Sequence, residues 1–337
     1  MPTTSRSRRL FSGFLASFAF LPMISLGAAA QEWPTSRDRI QFIVPFNTGG
    51  SADRMARGLA QFLPKELNGA AITVVNRPGA SGALGTAYFK SQPDDGSVFM
   101  VAQATPFIAN AILQTDIPVK WEDLDVINTQ WIDYAIIAVP KDSPFKTLEE
   151  LVTKLRSGPG AVSSGTMVGG GSYLQQLAML ELLDIPRANV RFVTYDGGGP
   201  LRTAIAGGQV EFSFVAAEGS KVIRDRIRAL SVVSDLAVKD WEGPLVNDAL
   251  KKSYGVTMPI FSSYTISMIA HSTFKKKHPE RYAAMVAAYK RVLEREDFKA
   301  WLEQNQIGGL WLGPEESKRL TTTGYEGLAK YRHLIKN

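Results

Sequence analysis

Hydrophobic and polar positions along the chain fall into two alternating registers. A short apolar run, Ile40-Gln41-Phe42-Ile43-Val44, reads as a buried strand and leads into the glycine-containing stretch Pro45-Phe46-Asn47-Thr48-Gly49-Gly50-Ser51. Beyond it Met55, Leu59, Phe62 and Leu63 recur at i, i+4, i+7 and i+8, the spacing of one helix face. The pattern repeats with a strand at 72–75, a break at Asn76-Arg77-Pro78-Gly79, a helix from near Gly82, a turn at Asp94-Asp95-Gly96 and a strand at 98–101. Such a βαβαβ succession predicts parallel strands and right-handed crossovers. A second cycle has a strand at 136–139, a helix at 147–155, a strand at 161–164, a loop at 165–172 and a helix at 173–183. Strands at 190–193 and 210–215 follow, with a short helix ending at Gly207-Gly208 between them, and the chain is helical from about Pro279. This predicts two α/β lobes. No Pro-, Gly- or Ser-rich linker divides them, so the lobes are expected to exchange chain segments.

The N-terminal 30 residues break this pattern. A basic start with Arg6, Arg8 and Arg9 is followed by the apolar run 14–21 and the small residues Ala28-Ala29-Ala30, the order of a cleavable export signal. Ser7-Arg8-Arg9-Leu10-Phe11 also resembles a twin-arginine export motif. Export from the cytoplasm is therefore expected. The 337 residues, 45% hydrophobic and 21% charged, have globular composition. Removing the signal, which holds three arginines and no acid, lowers the net charge from +6 to +3, and the remaining basic residues are scattered, which argues against a nucleic-acid partner. There are no cysteines and only three histidines, His271, His278 and His333. Thiol catalysis, disulfides and cysteine-ligated metals are excluded, and no metal or cofactor site is expected.

The candidate chemistry lies in three glycine-rich loops between strand and helix. Two share the tripeptides Gly49-Gly50-Ser51 and Gly170-Gly171-Ser172, one in each expected lobe; the third runs from Asp196 to Pro200. Glycines let an anion approach the free N–H groups and positive dipole end of a helix start. Ser172-Tyr173-Leu174-Gln175 fits a capping box that would open the second of these helices. Asp53 lies one turn into the first helix, and Phe46 precedes its glycines. Arg202 could pair with a carboxylate, but a surface role is expected of it. The first loop lacks a P-loop lysine, and no Gly-x-Ser-x-Gly elbow supplies a nucleophile, so no catalytic residue is assigned.

Val44-Pro45-Phe46-Asn47-Thr48-Gly49-Gly50-Ser51-Ala52-Asp53 resembles the Val-Pro-Phe-x-x-Gly-Gly-x-x-Asp loop of the Bug family, periplasmic solute-binding receptors of tripartite tricarboxylate transporters. Asn76-Arg77-Pro78-Gly79-Ala80-Ser81-Gly82 with Gly85, the loop 164–172, Tyr195-Asp196-Gly197-Gly198 and Gly207-Gly208-Gln209-Val210 resemble further family elements in the same order. The resemblance implies an α/β, two-lobed periplasmic-binding-protein type II fold, a Venus flytrap whose chain crosses twice between lobes. Lobe 1 would comprise 31–132 and 261–337, and lobe 2 residues 133–260. It implies a monomer that binds a small carboxylate, without catalysis, and docks on a membrane permease. Carried over by position, Phe46, Asn47, Thr48, Gly50, Ser51 and Asp53 would hold a carboxylate. Ala104 and Thr105 would wall the first lobe, and Thr166, Gly170, Gly171, Ser172 and Asp196 would meet the ligand from the second. The chain departs from the family at Asp196, where a lysine is usual, and at Phe261-Ser262-Ser263-Tyr264 and Ala270-His271-Ser272. The ligand is thus not inherited from the family; Phe46, Phe107, Tyr134 and Tyr264 point to an aromatic mono- or dicarboxylate. A module feeding a sensor kinase or chemoreceptor, and a secreted hydrolase of carboxylated substrates, stay open as alternatives.

Overall fold

A computed structural model describes residues 1, 33–167, 171–234, 240–260 and 264–336. The expected export segment after Met1, Gly170 of the second glycine loop and Phe261-Ser262-Ser263 lie outside the described residues. The first half of the chain runs through β1 (Arg39–Val44), α1 (Ser51–Phe62), β2 (Ala71–Asn76), α2 (Ala83–Lys90), β3 (Val98–Thr105), α3 (Phe107–Gln114) and β4 (Leu124–Asp133). It continues through β5 (Ala135–Pro140), α4 (Leu148–Leu155), β6 (Val162–Thr166), α5 (Gly171–Leu182), β7 (Val190–Thr194), α6 (Gly198–Ala206), β8 (Phe212–Ala216), β9 (Ile227–Val233) and α7 (Val246–Tyr254). The last part holds β10 (Tyr264–His271), α8 (Phe274–Lys277), α9 (Pro279–Glu294), α10 (Glu296–Gln304) and α11 (Gly313–Lys330).

These strands form two five-stranded sheets of matching order, β2-β1-β3-β10-β4 and β7-β6-β8-β5-β9. In each, the first three strands are parallel and the fourth runs antiparallel to both neighbours. In the first sheet that fourth strand is supplied by the chain after it has completed the second sheet. β5 enters the second sheet directly after β4, with only Tyr134 between them, and β10 returns to the first sheet after the second is complete. The chain therefore crosses twice between two α/β lobes, as a type II binding protein does.

The helices form where the apolar spacing places them. α1 buries Met55, Leu59 and Phe62 on one face, and α4 buries Leu148, Leu151, Val152 and Leu155 behind a Thr147 side chain that accepts the Glu150 N–H as N-cap. The boundaries of β8 and α5 differ from the sequence expectation. Ser172 does not cap α5, because the helix already begins at Gly171. Strands β4, β9 and β10 carry no clear signal. Every residue of β10 is buried, so the alternation of Tyr264-Thr265-Ile266-Ser267-Met268 does not mark a solvent-facing side, and it stops at Ile269-Ala270.

The C-terminal helices are fastened to β4 by a fully used amide. Asn128 Oδ1 accepts the N–H groups of Leu312 and Gly313, and its Nδ2 donates to the Leu310 carbonyl, which fixes the start of α11. α11 then lies across the first lobe, but the chain does not end there: Tyr331 and Leu334 pack on the α5 surface of the second lobe around Leu182 and Met258. No helix of the described residues is long and apolar enough to cross a membrane.

Candidate functional site

Three helix starts meet between the lobes. α1 opens from Gly50 and α6 from Gly197, neither with a side-chain cap, and α5 opens at Gly171. The first intrahelical bonds are Arg54 N–H to Gly50 O and Leu201 N–H to Gly197 O. The N–H groups ahead of them in each helix have no helical acceptor and carry the positive end of the dipole. The three starts enclose a cavity of about 60 Å³, lined by Phe46 to Thr48 and Gly50 to Ala52 on one side and by Ser172 and Gly197 to Arg202 on the other. That space holds a few waters or an acid head group. An aromatic wall closes one side: Phe46 meets Phe107 edge-on at 5.5 Å, and Phe107 stacks on Tyr264 at 6.0 Å. The Ser172 hydroxyl lies against the Tyr264 phenol, whose ionisation burial suppresses.

The charge in this cavity comes from Arg202. It is the one charged residue among the described lining residues, and its guanidinium has neither ion pair nor hydrogen-bond partner among the described residues. Burial, with the charge of Arg54 adding to it, pushes its pKa down to about 10, so it stays a cation at neutral pH. Its position follows from helix geometry. Side chains tilt toward the helix N-terminus, so a residue four after Gly198 reaches back over the glycine start. A Cβ on Gly198 would stand 3.1 Å from Arg202 Nη1; glycine leaves that path open. Arg54 is occupied elsewhere, donating to the Asn305 carbonyl at 2.9 Å and lying 5.6 Å over the Trp131 ring.

Behind the cavity, at the crossing from β4 to β5, lies Asp133, 1% exposed. Its carboxylate accepts the N–H groups of Tyr134 at 2.8 Å, Glu218 at 2.7 Å and Gly219 at 2.9 Å. It thereby joins the end of a first-lobe strand to backbone of the second lobe. Burial, reinforced by the charge of Glu218, raises its pKa to about 7 against the pull of those three N–H groups. The sign of the consequence is fixed. Between pH 4 and 7 the unfolded chain has lost this proton and the folded one keeps it, so stability falls as pH rises through that window and is level above it. Relative to Asp133→Asn, the native chain should lose about 3 kcal/mol between pH 4.5 and 7.5, at ~1.4 kcal/mol per pH unit. Urea unfolding of both proteins at the two pH values measures it, and parallel losses would refute the assignment.

The residues singled out in the sequence are distributed as follows. Phe46, Asn47, Thr48, Gly50, Ser51 and Ser172 line the cavity together. Asp53 faces away and braces the first glycine loop, accepting Gly49 N–H at 2.9 Å, Arg57 Nε at 2.9 Å and Asn76 Nδ2 at 3.0 Å. Burial pushes its pKa up, but these hydrogen bonds outweigh it and hold the carboxyl below its ordinary value. Ala104 and Thr105 are fully buried, and Thr105 shares a 2.7 Å hydrogen bond with Thr265 of β10. Gln103, one residue before them, is the member of β3 that reaches the cavity. Thr166 is buried at the end of β6 with its hydroxyl unpaired. Gly171 touches the opposite lobe: a Cβ there would lie 2.1 Å from Pro106 Cγ. Asp196 lines a neighbouring chamber, and its carbonyl accepts Asn47 Nδ2 across the cleft at 3.3 Å. Among the described residues no cluster of three or more acidic or histidine side chains could hold a metal ion. Arg202, expected at the surface, is instead the cation of the site.

The model of the tripartite tricarboxylate transporter family receptor matches residues 55–320. The chain belongs to this receptor family. Protein BugT of Bordetella pertussis is 31% identical over 202 residues, covering 58% of this chain and 60% of BugT. The chain spans between 58% and 70% of the lengths of the curated relatives it matches. Two solved structures of Rhodopseudomonas palustris proteins share the receptor fold. MatC with bound malate has a TM-score of 0.70 at 19% identity, covering 89% of this chain and 99% of MatC. Rpa4515 with adipate has a TM-score of 0.72 at 20% identity, covering 90% and 98%. The family is one of receptors, and the two crossings of the chain give this member a two-lobed frame.

Proposed function

We propose that the protein is a periplasmic solute-binding receptor that captures a small carboxylate between its lobes and delivers it to the membrane permease of a tripartite tricarboxylate transporter. One observation carries this reading: an unpartnered, largely buried Arg202 guanidinium aimed into a cavity bordered by three helix starts and by no acid among the described residues. Leaving such a cation unpaired is costly, and a carboxylate repays it with a charge-assisted, bidentate contact. The backbone N–H groups of α1 and α6 supply the remaining donors. The malate and adipate bound by the two R. palustris proteins belong to the same chemical class.

The protein acts as a monomer, by binding alone. An open cleft admits the anion. Closure about the crossing at Asp133 to Ala135 brings Arg202 and the α6 start over the α1 loop, and the closed form is the one the permease engages. The ligand drives this shift because it touches both lobes only when they are closed. Lobe 1 would comprise residues 31–132 and 261–337 and lobe 2 residues 133–260.

Calorimetric titration of the chain with carboxylates and with their neutral carboxamides tests the reading. Carboxylates should bind at least about 100-fold tighter than the matching amides, since a charged pair in this setting is worth several kcal/mol. Equal affinity for both would refute it. Deletion of the gene separates delivery from signalling: loss of uptake supports the permease as partner, whereas loss of response with uptake intact would assign the receptor to a sensor.

A further inference from the structure

A second chamber of about 690 Å³ opens beside the inner cavity, and the two share Phe46 and Asn47 as a partition. Phe46 is fixed in its own lobe, its carbonyl accepting Asn76 Nδ2 at 3.0 Å and its ring lying on Phe107, whereas Asn47 is tied across the cleft by one long hydrogen bond, Nδ2 to the Asp196 carbonyl at 3.3 Å, so an elongated ligand passes between the chambers by displacing the Asn47 side chain. The chamber lies within the size range of small-molecule sites. Its walls include Pro45, Pro78 and Tyr195, which offer apolar surface to a ligand body.

The polar groups of this chamber differ in kind from those of the inner cavity. Among its described lining residues the one charged side chain is Asp196, an acid. The lining also holds Asn110, on the same face of α3 as Gln114 four residues later. Asn110 is 1% exposed, and its Nδ2 has no hydrogen-bond partner; nor has Gln114 Nε2. A buried amide left unpaired calls for a ligand atom that can pair with it. Of the groups a ligand could place here, a second carboxylate meets the amides but is repelled by Asp196. A purely apolar end leaves the amides unpaired. A hydroxyl or a carboxamide accepts from the amides and donates to Asp196.

From this juxtaposition we infer that the receptor selects a monocarboxylate with a neutral, hydrogen-bonding far end, and discriminates against dicarboxylates of the same length. The inference rests on the proposal that the inner cavity holds a carboxylate. It adds that Arg202 supplies the attraction for one acid group, while Asp196 acts against a second one.

Calorimetry with matched probes at two chain lengths tests it: 4-hydroxybutanoate, butanoate and succinate, then 6-hydroxyhexanoate, hexanoate and adipate. The native protein should bind the better hydroxy acid at least about tenfold tighter than its matched diacid, the scale set by a like-charge contact. In Asp196→Asn the diacid should gain about tenfold relative to the plain monoacid, because only the diacid brings a second charge to that side chain. Replacing Asn110 by Ser should narrow the advantage of the hydroxy acid over the plain monoacid. A native protein that binds the diacid as tightly as the hydroxy acid, or an Asp196→Asn variant with an unchanged ratio, overturns the selectivity and leaves the carboxylate reading standing. Failure of all six acids to bind, with Arg202→Met no different from the native chain, overturns both.

Discussion

Replacing Arg202 with methionine is expected to lower carboxylate affinity by two orders of magnitude or more and to leave the melting temperature of the ligand-free protein within about 2 °C of the native value. The two effects have one origin. With the lobes together the guanidinium is largely buried without an ion pair among the described residues, and burial works against its charge. When the lobes part the side chain meets water, so methionine, which keeps the aliphatic length, changes the ligand-free fold little. The cost falls on the liganded form. Removing one partner of a buried charged pair costs about 2–5 kcal/mol, and each ~1.4 kcal/mol is tenfold in affinity. Titration calorimetry paired with thermal melts of the empty protein reads both. A variant that binds normally, or that loses binding only because it no longer folds, would exclude Arg202 as the ligand's cation.

The second large effect concerns closure. Gly171→Ala should abolish the closed form, with a loss of roughly 100-fold in ligand affinity, on the scale of the several kcal/mol that separate open and closed states. The added Cβ would sit 2.1 Å from Pro106 Cγ and 2.4 Å from Pro106 Cβ. Neither atom can retreat alone, because Pro106 is a ring set between β3 and α3, and Gly171 opens α5. The lobes must part. Each lobe keeps its own core, so the empty variant should melt like the native protein. Small-angle scattering at saturating ligand gives the direct check: the native chain contracts on binding and the variant stays expanded. A variant that contracts and binds as the native chain does would show that this contact does not govern closure.

Much of this was readable from residues alone, for identifiable reasons. The strands β1 and β6 announce themselves because each is a compact run leading into glycines; α1 after the first buries a regular stripe, whereas α5 after the second is buried on every side from Gly171 to Leu180. The loop at Phe46 to Ser51 could be assigned to the site because a glycine-rich strand-to-helix turn has few other uses. What stayed hidden depends on three-dimensional contact. Arg202 reads like any surface arginine. The feature that could have revealed it is its place four residues after Gly198, in a helix opening with Gly198-Gly199-Pro200, since a long side chain there reaches back over a bare helix start. Asp133 looks like an ordinary strand end, and only the fold shows three N–H groups converging on it. The family pattern points to Ala104 and Thr105, whereas Gln103 is the residue of β3 that lines the cavity. The two-residue period of a strand puts Ala104 on the opposite face, and the pairing of Thr105 with Thr265 cannot be read before β10 is known.

The course of the C-terminus bears on how the receptor opens. Two strands of chain cross between the lobes, and α11 lies on the first lobe, yet Tyr331 and Leu334 reach the α5 surface of the second. Two crossings alone permit both bending and twisting. A third attachment, set apart from them, resists twisting, so the cleft should open like a book held along its spine, exposing the whole length of the cavity at once.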